Sequence, residues 1–276
     1  MNDGSAVDID QPGVPSTPEL KRPLTEGELV LLVDQKNRRY VIKLEAGGDF
    51  QTHAGSLHHH LIIGQSEGHS LSSTRGQKFT VYRPTLSDFI MTMPRGAQVI
   101  YPKDIGPMLL MADIGPGVKV FESGVGSGAL SMAMLRAGAH ITGYELRDDF
   151  ASRARNNVSM FLGDEALDRY EIHLRDSYEG IEHGGFDRVV LDIPEPWRVI
   201  PHVPSVLGAG GLLVSYSPSI TQVMKVSEAL KQAGFSDIST TEVLNRGWHV
   251  DGQAVRPDHR MVAHTGFLTR ARLLST

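Results

Sequence analysis

The stretch Lys119-Val120-Phe121-Glu122-Ser123-Gly124-Val125-Gly126-Ser127-Gly128-Ala129 decides the fold of this chain. Residues 119–122 read as a strand and residues 129–137 as a helix. The glycines between them let the backbone turn tightly and approach a ligand, because no Cβ stands in the way. The helix that follows offers free N–H groups at its start. The pattern alone does not name a ligand. Gly124, Gly126 and Ala129 satisfy the G-x-G-x-x-A form of a dinucleotide site, and a strand-to-helix turn with no ligand fits the same residues.

Strand and helix patterns alternate outward from this turn. Residues 141–145, 170–174, 187–192 and 212–216 read as strands, and 148–161 and 220–233 as helices. Residues 86–93 and 103–113 upstream are helical in pattern. Such alternation predicts an α/β fold with a mostly parallel sheet and helices on both faces. Two late strands, 238–244 and 262–270, predict an antiparallel edge. Residues 27–83 read as short strands separated by glycine turns, which suggests a small barrel or sandwich. The expected organisation is a flexible tail over 1–23, a small β domain over 24–84 and the α/β domain over 85–276.

The chain has 276 residues, 40% of them hydrophobic and 21% charged, which is enough apolar material for a substantial core. Cysteine is absent, which excludes disulfides, thiolate zinc sites and a cysteine nucleophile. No apolar run reaches the ~18–20 residues of a membrane span. The polar, proline-rich start lacks the features of a signal peptide. A soluble cytoplasmic protein is expected. The net charge of −5 opposes nucleic-acid coating over the whole surface but leaves room for local basic sites. Arg75, Lys78, Arg83, Arg95 and Lys103 form one basic stretch, and five arginines in 245–276 form another.

Glu145 ends the strand after the glycine turn, nineteen residues beyond Gly126. A carboxylate there can accept from both ribose hydroxyls of a nucleoside cofactor. Nicotinamide dinucleotide and S-adenosylmethionine both remain open, although Glu122 just before G-x-G-x-G favours the second. The segment Val189-Val190-Leu191-Asp192-Ile193-Pro194-Glu195-Pro196-Trp197 is a buried strand running into an aspartate and a proline-stiffened, extended loop. Its placement resembles that of the Asp/Asn-Pro-Pro-aromatic loop of enzymes that methylate amino groups or ring nitrogens of bases. His58, His59 and His60 invite a metal reading, but successive strand residues face opposite ways, so a surface or subunit-interface role is expected.

The sequence resembles the TrmI family, tRNA (adenine-N1)-methyltransferases that act on adenine 58 of the T-loop. The resemblance covers most of residues 27–272. It is carried by Phe50-Gln51-Thr52-His53-Ala54-Gly55-Ser56, by residues 93–104 with Tyr101-Pro102-Lys103-Asp104, by the 122–128 turn and by the Asp192-to-Trp197 loop. Arg246-Gly247-Trp248, Val255-Arg256-Pro257 and His264-Thr265-Gly266-Phe267-Leu268 extend it. The resemblance implies a class I (Rossmann-like) methyltransferase fold with a small N-terminal all-β domain, a homotetramer, S-adenosylmethionine as methyl donor and tRNA as substrate. It implies a cofactor site built from Tyr101, Glu122, Ser123, Gly124, Val125, Gly126, Ser127, Gly128, Ala129, Glu145, Phe150, Asp176 and Asp192. Asp192 is also the implied catalytic carboxylate, and no metal is required. Tyr101, Trp197 and Trp248 are candidates to stack on a displaced base.

Overall fold

The structure, a computed structural model, describes residues 22–96 and 98–275. Most of the tail expected over 1–23 lies outside the described residues. The chain divides into two compact units, 1–85 and 86–276.

The first unit holds six strands: β1 (Leu29–Asp34), β2 (Arg39–Lys43), β3 (Asp49–Thr52), β4 (Gly55–His58), β5 (Ser70–Ser72) and β6 (Lys78–Tyr82). A four-stranded antiparallel sheet runs in the order β2-β1-β6-β5, and β3 pairs with β4 as a separate hairpin. Alternating side chains of β1 and β6 bury Val30, Leu32, Phe79 and Val81 with Leu44, Leu57 and Ile62 in one core. Only His58 of the histidine trio is on a strand, because residues 59–61 turn into a 3-10 helix. His59 is buried and accepts from the Glu45 N–H, while His58 pairs with Asp49. His58 and His60 stack with ring centres 5.4 Å apart, and only His59 is set apart by burial.

The second unit starts with helices α1 (Leu86–Thr92) and α2 (Pro102–Met111). Then come β7 (Lys119–Ser123), α3 (Ala129–Arg136), β8 (His140–Glu145), α4 (Asp148–Leu162), β9 (Tyr170–Leu174) and β10 (Phe186–Leu191). The chain continues with α5 (Pro196–Val199), β11 (Leu207–Ser217), α6 (Ile220–Gln232), β12 (Phe235–Glu242), β13 (Trp248–Asp251), β14 (Ala254–Pro257) and β15 (Phe267–Leu273). Seven strands form one sheet in the order β12-β15-β11-β10-β7-β8-β9. Strands β7 to β11 pair parallel, whereas β15 runs antiparallel between β11 and β12. The central strands are near-continuous apolar runs, as burial on both faces demands. The chain steps from β7 outward to β8 and β9, then crosses to β10 on the other side of β7. That reversal opens a crevice at the strands' C-terminal ends.

Several expected boundaries shift. β11 begins at Leu207 rather than 212, since Leu207 already pairs with Phe186 across a register shift and the glycines after it belong to the strand rather than a turn. β15 occupies 267–273 instead of 262–270, because residues 248–257 fold back as the β13–β14 hairpin around Gly252. The loop after Asp192 is extended only to Glu195. Pro196 opens α5, where its fixed φ suits the first helical position. Among the described residues no helix is long and apolar enough to cross a membrane.

One buried polar knot ties the start of α2 to the chain before β15. Lys103 Nζ donates to Asp104 Oδ1 at 2.8 Å, to the Val243 carbonyl at 2.7 Å and to Thr265 Oγ1 at 2.6 Å. Thr265 Oγ1 in turn donates to Asp104 Oδ2 at 2.7 Å. Asp104 is fully buried, and the Lys103 side chain is nearly so. Asp104→Ala would leave the lysine charge buried and unpaired, so it is expected to destabilise the fold by about 3–5 kcal/mol in urea unfolding.

Candidate functional site

The C-terminal ends of β7, β8, β9 and β10 and the start of α6 enclose a cavity of about 650 Å³. Its walls are acidic and apolar together. Glu145, Asp176 and Asp192 line it beside Phe150, Ile193, Pro194 and Pro218.

The glycine turn forms the floor. Gly124, Gly126 and Gly128 all have positive φ, a conformation that side chains with a Cβ rarely adopt. At Gly124 a Cβ would also strike the Asp192 carbonyl oxygen. Strand β8 accommodates the turn in the same way: Gly143 faces Val125, and a Cβ there would sit 2.6 Å from Val125 Cγ2. The two strands flanking the switch point are joined just below the cavity, where the Asp192 N–H donates to the Ser123 carbonyl at 2.9 Å.

Glu145 bridges two loops. One oxygen accepts from the Gly126 N–H at 3.0 Å and the other from the Arg147 N–H at 3.0 Å. The relation read from sequence as a spacing of nineteen is therefore a direct bond. Asp176 accepts the Tyr178 N–H at 2.9 Å, which closes the turn after β9, and Ser177 Oγ lies 2.7 Å from Ser123 Oγ.

Glu122 is buried behind the floor and accepts from Ser131 Oγ at 2.7 Å, with the Tyr170 hydroxyl donating to Ser131 at 2.8 Å. Loss of water pushes its carboxyl up to about 8 against the pull of the Ser131 bond, and the charges of Asp192 and Glu145 add to the rise. Asp192 is pushed up to about 7, first by loss of water and then by Glu145. Several carboxylates crowd one poorly solvated space, and the two arginines in its lining, Arg147 and Arg175, are already paired with Asp149 and Glu182 outside it. Such an arrangement favours a positively charged guest.

The expected cofactor residues divide. Ser123, Gly124, Gly126, Glu145, Phe150, Asp176 and Asp192 line the cavity. Glu122, Val125, Ser127, Gly128 and Ala129 are buried and outside its lining, shaping the turn. Gly128 packs against Ala154, and the Ser127 carbonyl accepts from Asn157. Tyr101 is half-buried at the start of α2, also outside the lining. Gln98, Tyr144, Arg147, Ser177, Tyr178 and Gln222 line the cavity without having been expected. For Gln222 a signal existed: Ser219-x-x-Gln222 is a capping-box pattern, and both of its bonds are formed. Tyr178 carried none.

The basic stretches are less free than their composition suggests. Arg83 is held by Glu28 and Glu67, and Lys103 is locked in the buried knot. Arg270 pairs with Asp237, and Arg272 donates to the Gly210 carbonyl. Arg246, Arg256 and Arg260, around the β13–β14 hairpin, are exposed and have no ion-pair partner among the described residues. Trp248 is exposed on that hairpin. Trp197 instead packs against the core with Lys225 Nζ 4.5 Å from its ring centre.

Residues 79–256 match the family described as tRNA methyltransferase complex GCD14 subunit, and residues 23–70 match the TrmI-like N-terminal family. The tRNA (adenine(58)-N(1))-methyltransferase TrmI of Thermus thermophilus is 33% identical over 247 residues, spanning 88% of this chain and 96% of that protein. The Methanocaldococcus jannaschii tRNA (adenine(57)-N(1)/adenine(58)-N(1))-methyltransferase TrmI is 36% identical over 270 residues, spanning 88% and 94%. Among solved structures, tRNA (m1A58) methyltransferase TrmI from Aquifex aeolicus superposes with a TM-score of 0.81 at 28% identity, covering 92% of this chain and all of that one. A Thermotoga maritima protein described as a SAM-dependent O-methyltransferase superposes at 0.87 with 30% identity, covering 92% and 96%.

The raised carboxyl of Glu122 makes a stability prediction. Its folded value near 8 exceeds the ordinary 4.5, so the folded state binds the extra proton. The stabilisation is complete below pH 4.5 and is lost as pH rises through about 8. Glu122→Gln removes that titration and keeps an acceptor for Ser131. Its melting temperature relative to the parent protein is expected to be higher at pH 9 than at pH 5, measured by scanning calorimetry.

Proposed function

The chain belongs to the TrmI family of tRNA (adenine-N1)-methyltransferases, and from that premise we propose that it moves a methyl group from S-adenosylmethionine to N1 of adenine 58 in the tRNA T-loop. The observation that carries the reading is the acidic, aromatic-walled cavity at the switch point, with Asp192 in its wall and Glu145 bonded to the glycine turn.

The residues present fit the cofactor. S-adenosylmethionine supplies an activated methyl group on a cationic sulfur. A site with Glu122, Glu145, Asp176 and Asp192 in or behind its walls attracts such a cation and repels the diphosphate of a nicotinamide dinucleotide. The volume of about 650 Å³ lies within the usual range for small-molecule sites. Glu145 retains lone pairs for ribose hydroxyls, Asp176 has one oxygen outside the turn bond, and Phe150 and Ile193 offer apolar surface to a base.

Adenine N1 is a weak nucleophile, and its methylation leaves a cationic ring. Asp192 accepts from the 6-amino group, stabilises the developing charge and takes the proton released as the product relaxes. The metal-free chemistry leaves positioning and electrostatics to the chain's own residues. Adenine 58 is packed inside folded tRNA, so it must be displaced into the site. Arg246, Arg256 and Arg260 are suited to phosphate contact, and Tyr101 and Trp248 remain candidates to stack on the displaced base. Self-association to a homotetramer belongs to the same reading. The exposed Trp248, Val250 and Val255 of the hairpin favour burial on association. The site of action on this reading is the cytoplasm, in keeping with a chain that has no cysteine.

The test is incubation of the protein with S-adenosylmethionine and an unmodified tRNA transcript, followed by nucleoside mass spectrometry and mapping of the methyl group. 1-Methyladenosine at position 58 is the expected product. Its absence despite measured cofactor binding would overturn the reading. Asp192→Ala is expected to lower kcat by about 10²–10⁴-fold while calorimetry still detects cofactor binding. With Asp192 near 7, kcat/KM for the cofactor should rise with pH up to about 7 and then level, because only the ionised carboxylate accepts from the amine. In the cofactor-bound complex the positive sulfur shifts that inflection in kcat to lower pH.

A further inference from the structure

Nothing on the Asp192 side chain fixes where it points. Among the described residues its carboxylate receives no hydrogen bond, although the side chain lines the cavity. Its aim therefore depends on the backbone of residues 192–197. Two of those residues, Pro194 and Pro196, lack N–H groups, so the segment has few means of holding itself.

Two side chains from elsewhere hold it instead. The Tyr178 hydroxyl, on the loop after β9, accepts the Glu195 N–H at 3.1 Å. Gln222 Nε2, in the first turn of α6, donates to the Pro194 carbonyl at 2.9 Å. The orientation of the Gln222 amide is not arbitrary. Its Oε1 accepts from the Ser219 N–H at 3.1 Å and from Ser219 Oγ at 2.9 Å, so the capping box turns Nε2 toward Pro194. Arg198 reinforces the first contact. Its guanidinium lies 4.1 Å from the Tyr178 ring centre and pairs with Glu195 Oε2 at 3.0 Å. The two grips reach the loop from connections on either side of β10 in the sheet order.

We propose that Tyr178 and Gln222 are positioning residues that aim the Asp192 carboxylate by gripping the backbone of its loop at Glu195 and Pro194. The proposal rests on the reading of Asp192 as the group that meets the adenine amine. It gives the capping box of α6 a second role, since the Gln222 amide that caps the helix also holds the loop of the reacting carboxylate. A shift of the loop by a fraction of an ångström would misalign the acceptor without emptying the cofactor site.

The test uses the full chain, S-adenosylmethionine and the tRNA transcript. Tyr178→Phe removes one acceptor and keeps the ring under Arg198. Gln222→Glu keeps the acceptor that the Ser219 N–H needs, but turns the donor facing Pro194 into an oxygen. Each is expected to lower kcat about 5- to 50-fold, with the KM values and the calorimetric cofactor Kd within about twofold. The melting temperature checks that both variants are folded. In an Asp192→Ala background, followed by single turnover, the same substitutions should change the rate by less than about twofold, since nothing remains to be aimed. An equal loss in that background, or a loss confined to KM and Kd, would overturn the proposal. Parent-like kcat in both single variants while Asp192→Ala is inactive would overturn the positioning alone. Full activity of Asp192→Ala would instead overturn the role of Asp192, and the positioning with it.

Discussion

The bond from the Asp192 N–H to the Ser123 carbonyl is the contact on which the site depends. It joins β7 to β10 at the place where the chain reverses its direction of travel across the sheet. Gly124 makes the bond possible, because any Cβ there would occupy the space of the Asp192 carbonyl. The glycine turn and the Asp192 loop thus become one surface rather than two neighbouring loops. The turn lets the loop close in, and the loop in turn forms a wall of the cavity above the turn.

Electrostatics follow from that closure. Packing Glu122, Glu145 and Asp192 near one another with little water raises the carboxyls of Glu122 and Asp192 above their ordinary range. The arrangement is unfavourable in isolation and is eased by a cationic guest. The same crowding that weakens the empty fold at high pH therefore strengthens the bound state. Hydrogen bonds distribute the load: Ser131 and Tyr170 support Glu122, and backbone N–H groups support Glu145. Asp192 is the exception. Among the described residues its carboxylate receives no hydrogen bond.

Much of this was legible along the chain. The alternation of apolar runs and amphipathic stretches placed β7 to β10 and helices α3, α4 and α6 within a residue or two at most boundaries. The glycine turn, Glu145 and Asp192 were each readable as local motifs at strand ends. The β13–β14 hairpin was missed although Asp251-Gly252 between short apolar stretches is a turn signal, because the exposed strands lack a buried face to mark them. The extent of β11 was missed because its glycines imitate a loop. Charge counting overstated the free basic residues, since composition does not show that Lys103 is buried and Arg83 is already paired.

The sequence by itself determined the elements, their order and the chemical kinds of residue at the strand ends, because periodicity and glycine punctuation act over a few neighbours. Only the tertiary structure decided which of those residues meet. The seating of β15 between β11 and β12, and the grips of Tyr178 and Gln222 on one loop, all join residues far apart in the chain. So does the division of the glycine-turn residues between lining the cavity and lying buried beneath it. The physical reason is that hydrogen bonds and burial depend on distance in space, and the sheet's crossover brings together strand ends that no local pattern links.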